Sequence, residues 1–322
     1  MKFRHALSFV LDHLLDRQFA FGWYVFRSGV STQIRKRKRW QILLQNKVDG
    51  CTAFCIVHWN APDFLLLTVA QIELLYPNSK IYIFDNSSEQ VHLAAIKAEL
   101  RKFNNVTLFA LLSPPKWAKT LHFDKLFAWQ SHTAGLQFLL NYSAKQSDEF
   151  AVFIDQDCII SQPIDELFSK FNKDIILIGA RQLYSPGNTI SRLIHPSFMI
   201  LQPVRINKLF GDSVFYDRRT EKAEAFCDPF QGLSFRVLER GGMLYLEPHM
   251  HSTIPLLTSY EYNGIKYAWH AWYSSRTIGI GNDSSIDGLH VAWLQNVRKI
   301  EFDFMTQVHR NTAKGLQNIN NI

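Results

Sequence analysis

From Cys51 onward, short apolar runs alternate with amphipathic stretches. Cys51–His58 is apolar over a strand's length, and Pro62–Tyr76 carries Leu65, Leu66, Val69, Ile72 and Leu75 at helical spacing. The alternation continues through a strand at Lys80–Phe84, a helix at Gln90–Phe103, a strand at Val106–Leu112, a long helix at Leu121–Tyr142 and a strand at Phe150–Ile154. Strands alternating with helices over this length predict a mostly parallel sheet covered on both faces. Beyond Asp157 the order is mixed, with a helix at Ile164–Phe171 and strands at Ile175–Ala180 and His195–Leu201. A helix then runs from Asp228-Pro229 to Arg240, followed by a strand at Met243–Leu246. Asp at the N-cap with Pro at the first helical position is a start signal, and Gly241-Gly242 is the matching stop. The tail from Asn282 is polar at its end and reads as partly disordered.

The first 49 residues have a different character. Leu7, Val10, Leu11, Leu14 and Leu15 form one apolar stripe, but Asp12, Asp16 and Arg17 interrupt it too soon for a spanning helix or a secretory signal. The aromatics Phe19, Phe21, Trp23, Tyr24 and Phe26 follow, then the basic run Arg35-Lys-Arg-Lys-Arg39 closed by Trp40. One reading is a peripheral attachment to an anionic membrane surface, at the inner face with the protein cytoplasmic. The other is a helix packed on the domain beside a solvated basic loop.

Composition narrows the class. The chain has 322 residues, 47% apolar and 20% charged, which describes a globular protein with a sizeable core. A net charge of +7 favours anionic partners such as nucleotide diphosphates, anionic lipid or an acidic glycan, and no motif supports nucleic acid. Cys51, Cys55, Cys158 and Cys227 show no zinc spacing and read as free buried thiols.

The chemistry begins at Phe150-Ala-Val-Phe-Ile-Asp155-Gln-Asp157. A buried strand ending in Asp-x-Asp places two carboxylates at the carboxyl edge of a sheet, where open α/β sheets bind their ligands. Such a pair suits a hard divalent cation that takes further ligands from a diphosphate. The bland alternative is two aspartates capping a turn.

Several fragments in order resemble the GT-A glycosyltransferases, in particular the large inverting family that makes bacterial surface glycans. Cys55-Ile-Val-His-Trp-Asn60 before an apolar helix is similar to that family's first strand and loop, and Ile83-Phe-Asp85-Asn-Ser-Ser88 to its second strand. Ser131-His-Thr-Ala-Gly-Leu-Gln-Phe-Leu-Leu140 resembles the helix before the metal strand, and Asp228-Pro-Phe-Gln-Gly-Leu-Ser-Phe-Arg236 the acceptor-side helix. The resemblance implies an α/β GT-A fold, Rossmann-like, with a mostly parallel mixed sheet and helices on both faces, plus the N-terminal helical segment. Its expected division is 1–49 for the N-terminal segment, 50–290 for the catalytic domain (50–160 donor half, 161–290 acceptor half) and 291–322 for the tail. Cys227 stands where the family has an acidic residue, and Gln295-Asn-Val-Arg298-Lys299 is only a near miss of the processive signature. A single-addition enzyme is therefore expected rather than a polymerase.

By the resemblance, Asp157 ligates Mn²⁺ or Mg²⁺, and Asp155 meets the metal shell or the ribose. His270 in Trp269-His-Ala-Trp-Tyr-Ser-Ser-Arg276 is the first candidate for a third ligand, ahead of His251 and His249, and a histidine tilts the metal towards manganese. Asp85 and Asn60 are expected to line the nucleotide pocket, and His132 and Gln231 to touch donor or acceptor. Arg181 is the leading basic residue for the diphosphate, with Lys119, Lys125 and Arg276 behind it. Asp228 is the expected general base, with Glu247 and Asp217 in reserve, although an N-cap role alone would explain it. Trp269, Trp272 and Tyr273 either stack on an acceptor sugar or pack in the core. His195 is as readily structural.

The implied activity is transfer of a single hexosyl-type sugar from a nucleotide-diphosphate donor, a UDP-sugar first, to a glycan or lipid-linked acceptor with inversion. Two rivals stand beside it. A sugar nucleotidyltransferase normally carries a Gly-rich basic loop after its first strand, where this chain has His58-Trp-Asn-Ala-Pro62. A non-catalytic membrane-associated glycan-binding protein would not need Asp85, Asp155, Asp157 and Asp228 together.

Overall fold

A computed structural model of the chain describes residues 40–59, 61–86, 90–111, 124–182, 193–211, 229–250 and 257–271. Eleven strands fall in this set: β1 (Trp40–Leu44), β2 (Thr52–His58), β3 (Lys80–Asp85), β4 (Val106–Leu111), β5 (Phe150–Ile154), β6 (Cys158–Ile160), β7 (Ile175–Arg181), β8 (Ile194–Leu201), β9 (Gly242–Met250), β10 (Leu257–Tyr262) and β11 (Ile265–Ala271). The helices are α1 (Pro62–Leu75), α2 (Gln90–Leu100), α3 (Asp124–Lys145), α4 (Asp165–Phe168), α5 (Pro203–Phe210) and α6 (Pro229–Arg240).

The protein is α/β, with the strands in the order β1-β4-β3-β2-β5-β8-β7-β9-β10-β11-β6. The run β4-β3-β2-β5 is parallel. β8 lies antiparallel to both β5 and β7, so β7 points the same way as β5, and β9 follows β7 in parallel. β9 changes partners midway: Gly242–Leu246 pairs with β7 and Glu247–Met250 with β10. It thereby joins the main sheet to a small antiparallel sheet of β10, β11 and β6.

The side-chain alternation of β2 supplies both faces. Phe54 and Ile56 meet Leu65, Val69 and Ile72 of α1 and Ile96 and Leu100 of α2. Ala53, Cys55 and Val57 meet Leu136, Leu139 and Leu140 of α3, with Ile206 of α5 and Leu233 and Val237 of α6 in the same core. Residues buried from both sides explain why these strands are apolar without alternation. Pro62 and Pro203 begin α1 and α5, where a missing N–H costs nothing.

Some expected elements are trimmed or differ. The helix expected at Ile164–Phe171 is the single turn α4, and β1, β6, α5, β10 and β11 had no counterpart in the sequence reading. Of the expected buried thiols, Cys55 and Cys158 are buried but Cys51 is exposed, because it precedes β2 at the sheet's amino edge. No helix among the described residues is long and apolar enough to cross a membrane.

Candidate metal centre

After the five buried residues of β5 the chain turns at once, with the Cys158 N–H donating to the Asp155 carbonyl at 3.0 Å. That turn is Asp155-Gln156-Asp157, and three neighbours pin it. The Asp155 N–H donates to the Ser197 carbonyl on β8 at 3.0 Å. The side-chain amide of Gln156 pairs with the backbone of Trp59 in both directions, accepting from its N–H at 2.8 Å and donating to its carbonyl at 3.1 Å. The Thr68 hydroxyl donates to the Gln156 carbonyl at 2.8 Å. Gln156, the unassigned middle residue of Asp-x-Asp, is thus the strut that ties the turn to the end of β2.

Antiparallel pairing brings the third group. β11 lies against β6 with His270 opposite Cys158, next to the turn. His270 Nε2 is 3.5 Å from Asp157 Oδ1 and 3.8 Å from Asp155 Oδ2. Asp155, Asp157 and His270 each offer a ligand atom within 4.8 Å of the others. Asp157 and His270 are each 4% exposed, whereas Asp155 is half-buried and opens to solvent. Two carboxylates and an imidazole at this spacing fit a divalent cation, and the nitrogen suits Mn²⁺ better than Mg²⁺. Cys158 is no nucleophile here, since burial first, and then the charges of Asp155 and Asp157, push its thiol well above its ordinary range.

Behind His270 runs a row of hydrogen bonds. His270 Nδ1 is 3.1 Å from the Tyr260 hydroxyl, which is 2.5 Å from Ser197 Oγ, which is 2.9 Å from His195 Nδ1. Burial above all, then nearby Cys158, keeps the Tyr260 phenol well above its usual range, so it stays protonated.

Two of the other expected residues, Asp85 and Arg181, end strands at the same sheet edge. Asp85 ends β3, buried, with Oδ1 2.7 Å from Nδ1 of His58 at the end of β2. Arg181 ends β7, where Nε lies 2.9 and 3.0 Å from the two Glu247 carboxylate oxygens and the guanidinium sits 3.9 Å above the Tyr245 ring. His249 is exposed on β9, 3.6 Å from Glu261, and is not part of the cluster. His132 is half-buried on α3, and Trp269 is half-buried with Lys266 5.2 Å from its ring. Asn60, Lys119, Asp217, Cys227, Asp228, His251, Trp272, Tyr273, Arg276, the N-terminal helix and basic run, and the tail lie outside the described residues, as do the side chains of Lys125 and Gln231. Sequence reasoning missed His58, Gln156, Ser197 and Tyr260. For His58 a signal existed, a histidine closing an apolar strand beside one that closes in aspartate.

No family model and no curated protein sequence matches the chain. Solved structures overlap it in part. The apo-form glycosyltransferase GlyE of Streptococcus pneumoniae TIGR4 is 12% identical over 60% of this chain, with a TM-score of 0.40. The chain spans 44% of that protein, less than half its length. The galactosyltransferase LgtC in complex with donor and acceptor sugar analogs is 12% identical, covering 60% of this chain and 73% of LgtC, with a TM-score of 0.42. The mannosyltransferase PcManGT of Pyrobaculum calidifontis, in complex with GDP-Man and Mn²⁺, is 10% identical, covering 84% of this chain and 75% of its own, with a TM-score of 0.41. Overlaps this partial do not bear on activity.

Proposed function

We propose that this chain is a metal-dependent glycosyltransferase that moves one sugar from a nucleotide-diphosphate donor, a UDP-sugar first, to a glycan or lipid-linked acceptor with inversion. The supporting observation is the convergence of Asp155, Asp157 and His270 within 4.8 Å at the carboxyl edge of parallel strands. A divalent cation held by these three would neutralise the diphosphate leaving group as the glycosidic bond breaks.

The chain's own residues divide the remaining work. Asp157 and His270 are buried, His270 held from behind by Tyr260, while the more open Asp155 faces the donor. Asp85, oriented by His58, presents a carboxylate to the ribose or base. Arg181 reaches a diphosphate only by exchanging it for the Glu247 carboxylate. Asp228 takes the acceptor hydroxyl's proton as that oxygen attacks the anomeric carbon. Residues 1–39, ahead of β1, hold the protein at an anionic membrane surface, and co-sedimentation with phosphatidylserine vesicles that is lost in high salt would be the expected signature.

The test is a turnover screen of UDP-, GDP-, CMP- and dTDP-sugars with and without Mn²⁺, on wild type and Asp157→Ala. Sugar release from one donor, Mn²⁺-dependent and reduced about 100-fold or more in the variant, is expected. Pyrophosphate release from a sugar phosphate and a nucleoside triphosphate would replace this reading with a nucleotidyltransferase. Silence with every donor and metal would overturn it.

A further inference from the structure

The hydrogen-bond row behind His270 has a polarity that its members alone could not choose. Hydroxyls and imidazoles can each donate or accept, so a closed row of them has two equivalent directions. A backbone amide breaks the tie. The Ser197 N–H, which can only donate, points at His195 Nδ1 at 3.2 Å. His195 Nδ1 is therefore an acceptor, and the Ser197 hydroxyl 2.9 Å away must donate to it. Ser197 Oγ is then left to accept from the Tyr260 hydroxyl at 2.5 Å. The Tyr260 oxygen in turn accepts from His270 Nδ1 at 3.1 Å. The row therefore runs in one direction, and His270 carries a proton on Nδ1; in the neutral ring, the form that ligates a metal, Nε2 is then the bare nitrogen.

We infer that Tyr260, Ser197 and His195 form a positioning relay that fixes His270 in the Nδ1–H tautomer, leaving the Nε2 electron pair to face Asp155 and Asp157. The inference rests on the metal reading of the site for its purpose, not for its geometry. An Nε2 lone pair set 3.5 Å and 3.8 Å from two carboxylate oxygens is adverse on its own and favourable with a cation among them. A ligating histidine commonly donates its other ring N–H to a partner that fixes ring and tautomer, and losing that partner weakens metal affinity about 10–100-fold. The relay also links the two halves of the site through one residue. Ser197 holds Asp155 by its backbone carbonyl and His270, through Tyr260, by its hydroxyl.

Ser197→Ala is the decisive variant, because it leaves the backbone bond to Asp155 intact and frees the Tyr260 hydroxyl to turn round and donate to His270 Nδ1. Nitrogen-15 spectra of histidine-labelled, EDTA-treated full-length protein read the tautomer, and Mn²⁺ titration followed by electron paramagnetic resonance reads affinity. In wild type, His270 Nδ1 is expected to be protonated. In Ser197→Ala its signal moves towards the unprotonated position and Mn²⁺ affinity falls about tenfold, with Ser197→Thr restoring both. Tyr260→Phe should weaken Mn²⁺ binding at least as much. An unprotonated Nδ1 in wild type overturns the relay, as does a Ser197→Ala protein with unchanged tautomer and affinity. Wild type that shows a protonated Nδ1 but binds no Mn²⁺ would overturn the metal reading and support the relay.

Discussion

His58 has no exposed surface, and two contacts decide its protonation pattern. The Ala61 N–H donates to its Nε2 at 3.2 Å, so Nδ1 holds the proton and donates to Asp85 at 2.7 Å. Asp85→Ala removes the acceptor of a buried donor and should cost about 1–3 kcal/mol in urea unfolding, with Asp85→Asn costing less because its amide oxygen still accepts. Equal losses in the two variants would mean the hydrogen bond contributes little. Tyr267 carries a second residue-scale prediction. Its phenol donates to Glu166 at 2.8 Å; burial, then Glu166, push the phenol up to about 12, while the Tyr267 bond first, and Lys170 next, hold the Glu166 carboxyl below its ordinary range. A raised tyrosine stabilises fully below its unfolded pKa near 10.0 and loses that contribution as pH climbs to about 12. A lowered carboxyl stabilises above its ordinary value of 4.5 and loses that as pH falls through the folded value. Tyr267→Phe should therefore be less stable than wild type at neutral pH, with the gap closing at both extremes; a gap constant across a pH series of urea midpoints would refute the pair.

Among elements, α3 packs tightly on β2 and β3 at Gly135. A Cβ on Gly135 would lie 2.9 Å from the Phe84 ring and 3.0 Å from a Val57 methyl, both buried side chains with little room to yield. Gly135→Val should cost about 1–3 kcal/mol through overpacking, and an unchanged denaturation midpoint would show that α3 can lift off the sheet freely. The same double-sided burial made β2, α1, β3, α3 and β5 legible from sequence, since a strand covered on both faces is a plain apolar run. The hairpin carrying His270 was not legible by that route. Thr258-Ser-Tyr-Glu-Tyr and Lys266-Tyr-Ala-Trp-His mix polar groups with amphipathic rings, so no clear alternation emerges. Its turn did carry a signal: Asn263 and Gly264 have φ of 52° and 76°, as a two-residue hairpin loop requires. β6, three residues long, is too short for any period, and its pairing with β11 joins segments about a hundred residues apart. The carboxylates could be read because Asp-x-Asp is local. Gln156, Ser197 and Tyr260 could not, because their roles exist only once β2, β8 and β10 are assembled around the turn.

At the scale of the molecule, the carboxylate–imidazole cluster lies where the main sheet meets the small one. Asp155 and Asp157 leave β5 of the first, and His270 belongs to β11 of the second. In the absence of a cation, two carboxylates within 4.8 Å of each other are a local cost to the fold. Two unit charges roughly 4 Å apart repel by about 4 kcal/mol at an effective dielectric near 20 and by about 1 kcal/mol in bulk water, to which the half-buried Asp155 opens. Asp157→Asn removes one charge with no change of shape, so the metal-free variant should be about 1 kcal/mol more stable than metal-free wild type. With Mn²⁺ the order reverses. A ligand that binds only the folded state adds about 2.7 kcal/mol at a hundred times its dissociation constant, and the variant, short of one anionic ligand, should gain little. Urea unfolding of both proteins in EDTA and in saturating Mn²⁺ gives four midpoints, and the prediction is that the two lines cross. Parallel lines would mean that Asp157 does not hold the ion. A variant that is less stable in EDTA would mean that Asp157 is kept for the fold, as the cap of the turn, and the claim that the seam between the sheets is built for a cation would fall with it.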